Sequence, residues 1–215
     1  MTDFTSSTPR IPAQKHAGQH SVDGAKTIAP QRPDLARELL ARAAQSATRR
    51  AKRLRNHLDD VHLGQDRHAD HVDAKVLLRV LSEHDWPGHR LVGPDAARAA
   101  WSLALHADDD PGLQRMAATL LERAVQADDA LIQHWAHLHD RALLNHGHLQ
   151  EYGTQFLLRA DSVERCPLLA PGSVDERRSS VGLPPAAVAL ESVQNRYALD
   201  RRAQNDLPSL PWKAA

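Results

Sequence analysis

A chain of 215 residues is long enough for one domain with its own core and ragged ends. Its 27 Lys+Arg balance its 27 Asp+Glu, so no overall field exists to hold nucleic acid or an anionic membrane surface at long range. The single cysteine, Cys166, excludes an internal disulfide, and neither a basic-then-apolar leader nor a long apolar run is present. These features predict a cytoplasmic protein with no nucleic-acid or membrane partner; oligomeric state is left open.

Residues 1–32 are rich in Ser, Thr, Pro, Gln and Gly without helical or strand period, which predicts a disordered arm. From Pro33 to Leu58, Leu35, Leu39, Leu40, Ala43 and Ala47 recur at three- and four-residue steps, the period of an amphipathic helix whose Arg and Lys face water. A second helix is expected over 71–84, with Asp73 as its cap, a stripe of Val76, Leu77, Val80 and Leu81, and a stop at Trp86-Pro87-Gly88. The third opens at Pro94-Asp95 and closes at Asp108-Asp109-Asp110; Asp110-Pro111 then caps and starts the fourth. A fifth runs over 130–147 to Gly147, a left-handed stop. After it the period changes to two, so "TQFLLR" and "RCPLL" read as a short hairpin with Pro167 on its outer edge. A helical pair over 174–183 and 185–199 precedes a fraying tail, 201–215. The fold expected is mainly α: one domain over 33–200, five to seven helices, one hairpin and a disordered N-terminal arm.

Three features carry potential chemistry. On the fifth helix both faces are apolar, so Asp140 is expected to be at least partly buried, where a carboxylate needs a partner. It reads either as a structural anchor or as a general acid or base. His106 sits near the C-terminus of the third helix beside Asp108 and Asp109, and reads as a capping group or as an acid/base catalyst. The stretch "HLQEYGTQFLLR" concentrates polar groups around Gly153, either as a turn that satisfies its own backbone or as a wall of a ligand site. His134 with His137, and His68 with His71, are each one helical turn apart, yet no third ligand completes either pair. No metal is therefore assigned, and neither a phosphate-cradling glycine loop nor a nucleophile elbow is present.

The segments "WPGHRLVG" (86–93), "AAW" (99–101), "HADDDPGLQ" (106–114), "LHDR" (138–141), "QEYGTQF" (150–156) and "VDERRSSVGLPP" (174–185) resemble, in order and spacing, the bacterial family catalogued as domain of unknown function 6624. The resemblance spans roughly Asp34 to Pro185 and is densest over 84–185. It implies a motif set of His106, Asp108, Asp140, Arg141, Gln150, Tyr152, Thr154, Gln155, Arg177 and Arg178, and carries no settled activity. The chain departs from the pattern at Gln45-Ser46, ahead of Thr48-Arg49, and at His139, where a small hydroxyl residue is expected.

Two functional expectations follow. In the first, the chain is a small cofactor-independent enzyme for hydrolysis, elimination or isomerisation of a small polar, anionic substrate. His106, Asp140 and Arg141 are its catalytic group; Asp108, Gln150, Tyr152, Thr154, Gln155, Arg177 and Arg178 bind the substrate. In the second, the same groups form a buried polar network in a non-catalytic binding module.

Overall fold

The structure, a computed structural model, describes residues 29–54, 60–159 and 162–205. Within them lie eight α-helices: α1 (Pro33–Leu54), α2 (Asp60–His84), α3 (His89–Val92), α4 (Pro94–Leu105), α5 (Pro111–Gln126), α6 (Ile132–Asn145), α7 (Val174–Ser180) and α8 (Ala186–Asn205). One antiparallel hairpin, β1 (Phe156–Leu158) with β2 (Val163–Arg165), stands between α6 and α7. The mainly helical fold with a single short hairpin is the one expected from the sequence. Of the arm expected to be disordered, residues 1–28 lie outside the described residues, and the backbone N–H groups of Gln31 and Arg32 already bind the carbonyls of Arg90 and Leu91. At the other end α8 runs on to Asn205, and residues 206–215 of the expected tail lie outside the described residues. No described helix is long and apolar enough to cross a membrane.

Alanine makes α4 the centre of the fold. Ala96, Ala97, Ala99, Ala100 and Ala104 are buried along it, and α1, α2, α3, α5 and α6 all pack against it. Small side chains let those helices approach closely, and the bulk comes from the partners: Leu39, Leu77, Leu81, Leu121 and Leu138 are fully buried. The starts and stops follow the sequence. Pro94 and Pro111 open their helices, Asp110 Oδ1 accepts the Leu113 N–H at 2.9 Å, and Gly147 ends α6 at φ +77°.

Three local expectations are corrected. The α1 arginines do not simply face water, because α2 lies alongside: Arg42 and Arg49 bind Asp73, while Arg49 and Arg53 bind Asp70. Asp73 is consequently an interior residue of α2, 7 % exposed, and not its cap. Next, α2 stops before Trp86-Pro87-Gly88 as read, but the residues after that stop, given no helix in the sequence reading, form the one-turn helix α3, separated from α4 by Gly93 at φ +81°. Finally, the second strand is Val163–Arg165, paired Phe156 to Arg165 and Leu158 to Val163, rather than "RCPLL". Pro167 has no N–H to continue a ladder, and Leu168 makes only an isolated bridge to Gln150.

The entry to α3 is tight. A Cβ on Gly88 would fall 2.6 Å from the Asp129 backbone oxygen, and Asp129 cannot retreat because its carbonyl and carboxylate hold the N–H groups of His89 and Arg90. Gly88→Ala is expected to cost about 2 kcal/mol, read as a lower urea midpoint; an unchanged midpoint contradicts this packing.

Trp101 fastens α4 to α6. Its indole N–H donates to the His134 carbonyl at 2.8 Å, its ring stacks on the His134 imidazole at 4.3 Å, and His137 meets it edge-on. Burial pushes both imidazoles down, His134 to about 4. A folded-state value below the unfolded one of about 6.5 means this stabilisation is complete above that pH and is lost as pH falls toward about 4. The melting point should therefore drop less steeply over this range in His134→Phe than in the parent protein; parallel curves would refute the assignment.

Candidate functional site

The chain leaves α6 at Gly147 and returns across it, so that residues 150–155 lie over Asp140. Asp140 is fully buried and its two oxygens accept four hydrogen bonds. Oδ1 takes the N–H groups of Glu151 (2.8 Å) and Tyr152 (3.0 Å); Oδ2 takes the N–H and the hydroxyl of Thr154, both at 2.9 Å. A carboxylate offers about four lone-pair sites, and all are used. Gly153, at φ +65° with Leu168 and Arg165 close to where a Cβ would stand, lets the backbone curl around the carboxylate.

The other polar residues of this stretch close the same knot. Gln150, also fully buried, donates to the Gln155 and Cys166 carbonyls and accepts the Gln155 N–H. The Gln155 amide donates to the His137 carbonyl and to Thr154 Oγ1. Arg178, 2 % exposed, donates to the carbonyls of Pro184, Tyr152 and Gly153. Arg177 reaches the carbonyls of Glu151, Leu169 and Ala170 and the Ser173 hydroxyl. Asp140, Gln150, Tyr152, Thr154, Gln155, Arg177 and Arg178 are thus brought together around the turn over Asp140, Tyr152 through its backbone and Arg177 through neighbouring carbonyls and the Ser173 hydroxyl.

His106, Asp108 and Arg141 gather elsewhere. Successive side chains on a helix diverge by about 100°, so Arg141 leaves α6 on a different side from Asp140. Its guanidinium forks onto Asp108, Nε to Oδ1 at 2.8 Å and Nη2 to Oδ2 at 2.5 Å. Gln114, fully buried, and Asn145 also donate to Asp108, at 3.2 and 3.0 Å, and Asn145 donates to Gln114 Oε1 at 2.7 Å. Burial alone would raise the Asp108 pKa, but the bonds and charge of Arg141, together with the Asn145 and Gln114 bonds, outweigh it and hold the carboxyl below its ordinary value.

Asp108 forms part of the wall of an open cleft of about 290 Å³. Arg50 and Arg53 of α1, Asp70 and His71 of α2, and His106 with Asp108, Asp109 and Asp110 at the α4–α5 turn line it. His106 caps the C-terminus of α4, and its ring makes no hydrogen bond among the described residues. Although the ring is exposed, the surrounding protein and then the Arg50 guanidinium disfavour its charged form, and its pKa is pushed down despite the opposing pull of Asp108. The imidazole is neutral at pH 7, and His106 is among the residues that line the cleft.

A family model described as a family of unknown function, DUF6624, matches residues 33–202, most of the chain. The chain belongs to this family. No curated protein and no solved structure matches it. The match runs from the first residue of α1 into α8, so both the closed knot and the α1 wall of the cleft lie within the DUF6624 region.

This DUF6624 chain therefore holds its motif residues in two arrangements, one closed and one open. Sequence reading found both ends of the open one, His106 and Arg141, but missed Arg50, Arg53, Asp70, Gln114 and Asn145. A signal existed for part of it: arginines at 49, 50 and 53 match acids at 70 and 73 as opposing helix stripes. His134 and His137, paired by spacing, serve Trp101, and no cluster of three metal-ligating side chains occurs among the described residues. A second cavity of about 360 Å³ lies between α5 and α6 over Trp135, His139 and Leu143; none of the expected site residues lines it.

Proposed function

We propose that this DUF6624 chain is a small cytoplasmic enzyme that performs acid/base chemistry on a small polar substrate held in the cleft between α1, α2 and the α4–α5 turn. The observation that carries this is His106: a neutral imidazole without a hydrogen-bond partner among the described residues, opening on a cleft of small-molecule size beside a carboxylate fixed by a guanidinium. His106 takes a proton from the substrate, and the imidazolium formed is stabilised by Asp108 and Asp70, whose charges already favour it. Arg141 acts through Asp108 as a positioning residue. Hydrolysis, elimination and isomerisation each need such a group.

Turnover of a panel of small polar metabolites is the test. His106→Gln is expected to reduce kcat/KM by about a hundredfold or more while leaving the melting point unchanged. Full turnover in that variant would reject the proposal. The competing reading, a non-catalytic binding module, is favoured by the saturated bonding of Asp140. Ligands from the panel that bind with no conversion would select it.

A further inference from the structure

Arg50 stands apart from the other cations of the α1–α2 face. Arg42, Arg49 and Arg53 on its own helix each hold Asp70 or Asp73, and Arg141 holds Asp108. Arg50 donates one bond, from Nη1 to Ser46 Oγ at 2.7 Å, and no carboxylate among the described residues forms an ion pair with it. It is half-buried and lines the cleft. A guanidinium has five N–H donors, so Arg50 keeps most of its donors free for an acceptor that enters the cleft. Its burial accordingly disfavours the charge, with Arg53 and Arg49 adding repulsion and Asp70 and Asp108 only partly offsetting it.

We infer that the cleft receives a ligand bearing one oxyanion, a carboxylate or a phosphate, which seats on the Arg50 guanidinium with His71 and His106 beside it. The inference rests on the cleft being the working site, and it assigns the anion anchor to a residue outside the motif set, since Arg141, Arg177 and Arg178 already spend their donors on Asp108 and on carbonyls. The planar fork suits two oxygens of one group. The rest of the ligand is constrained by Asp70, Asp108, Asp109 and Asp110, which also line the cleft and would repel a second negative charge. A volume of about 290 Å³ stands at the lower end for ligand sites. Together these define a compact molecule with one oxyanion head and a neutral or cationic remainder.

The test follows the His106 ring signals of the full chain by NMR, assigned by their disappearance in His106→Gln, during millimolar titrations with inorganic phosphate, trimethylglycine and succinate. A saturable shift is expected with trimethylglycine or phosphate, and whichever binds tells a carboxylate from a phosphate site. Succinate should bind more weakly than trimethylglycine. Arg50→Gln should weaken binding about tenfold or more without lowering the melting point, whereas Arg196→Gln, on exposed α8, should change neither. Absence of a saturable shift with every probe, wild-type binding by Arg50→Gln, or tighter binding of succinate each overturns the inference. Arg50-dependent binding without turnover of any substrate leaves it standing and removes only the enzyme reading; turnover that needs His106 but ignores Arg50→Gln does the reverse.

Discussion

Asp140→Ala is expected to lower the free energy of unfolding by about 4 kcal/mol and the melting point by about 10 °C, the largest loss from any single truncation at the closed knot. The wild-type carboxylate is fully buried and holds the N–H groups of Glu151, Tyr152 and Thr154 together with the Thr154 hydroxyl. Truncation leaves those donors facing a cavity, and an unsatisfied buried donor costs about 1 to 3 kcal/mol even after partial relaxation. Asp140→Asn keeps one acceptor oxygen but turns an NH₂ toward N–H groups, so it should fall between the two. Chemical denaturation of the three proteins measures the series. Were Asp140→Asn to keep its full stability while turnover vanished, the carboxylate would be a catalytic group and the structural reading would fail.

Arg178→Met should cost about 3 kcal/mol, although it replaces a charged side chain by an apolar one of similar length. At 2 % exposure the guanidinium bridges Pro184 on one side and Tyr152 and Gly153 on the other, which ties the α7–α8 connection to the turn over Asp140. Methionine fills the space but leaves the Tyr152 and Gly153 carbonyls without this buried donor, and removes the part-buried bond to Pro184 as well. Arg178→Lys should recover little, because a single ammonium cannot span the two sides as the planar fork does. Hydrogen exchange at the Thr154 amide separates this from a general loss of stability: it should accelerate in Arg178→Met even under conditions where the α4 amides remain protected. Equal acceleration throughout the chain would count against the staple.

These two residues also mark how far the sequence could be read. That Asp140 would be buried was legible, since apolar residues flank it on both sides of α6, and the polar string around Gly153 announced a special turn. What the string did with its polarity was not legible. Hydrogen bonds between Asp140 and residues 151–154 depend on how the chain turns after Gly147, which no periodicity encodes. The same limit explains Arg177 and Arg178: a guanidinium reads as an anion anchor in sequence, yet Arg178 ends on backbone carbonyls and Arg177 on backbone carbonyls and the Ser173 hydroxyl, acceptors that only the tertiary fold brings within reach.

Apart from α3 and the first turns of α2, the helices, their caps at Asp110 and Gly147 and the Ala-rich stripe of α4 were legible in the sequence alone, because such features are set within one or two turns of the chain. The tertiary structure decided which charged faces meet. Only when α2 lies along α1 do Asp70 and Asp73 take up Arg42, Arg49 and Arg53, and only then is Arg50 left over beside His106. Ion pairing between helices depends on how they lie side by side in space, a distance relation with no counterpart in the order of residues along the chain.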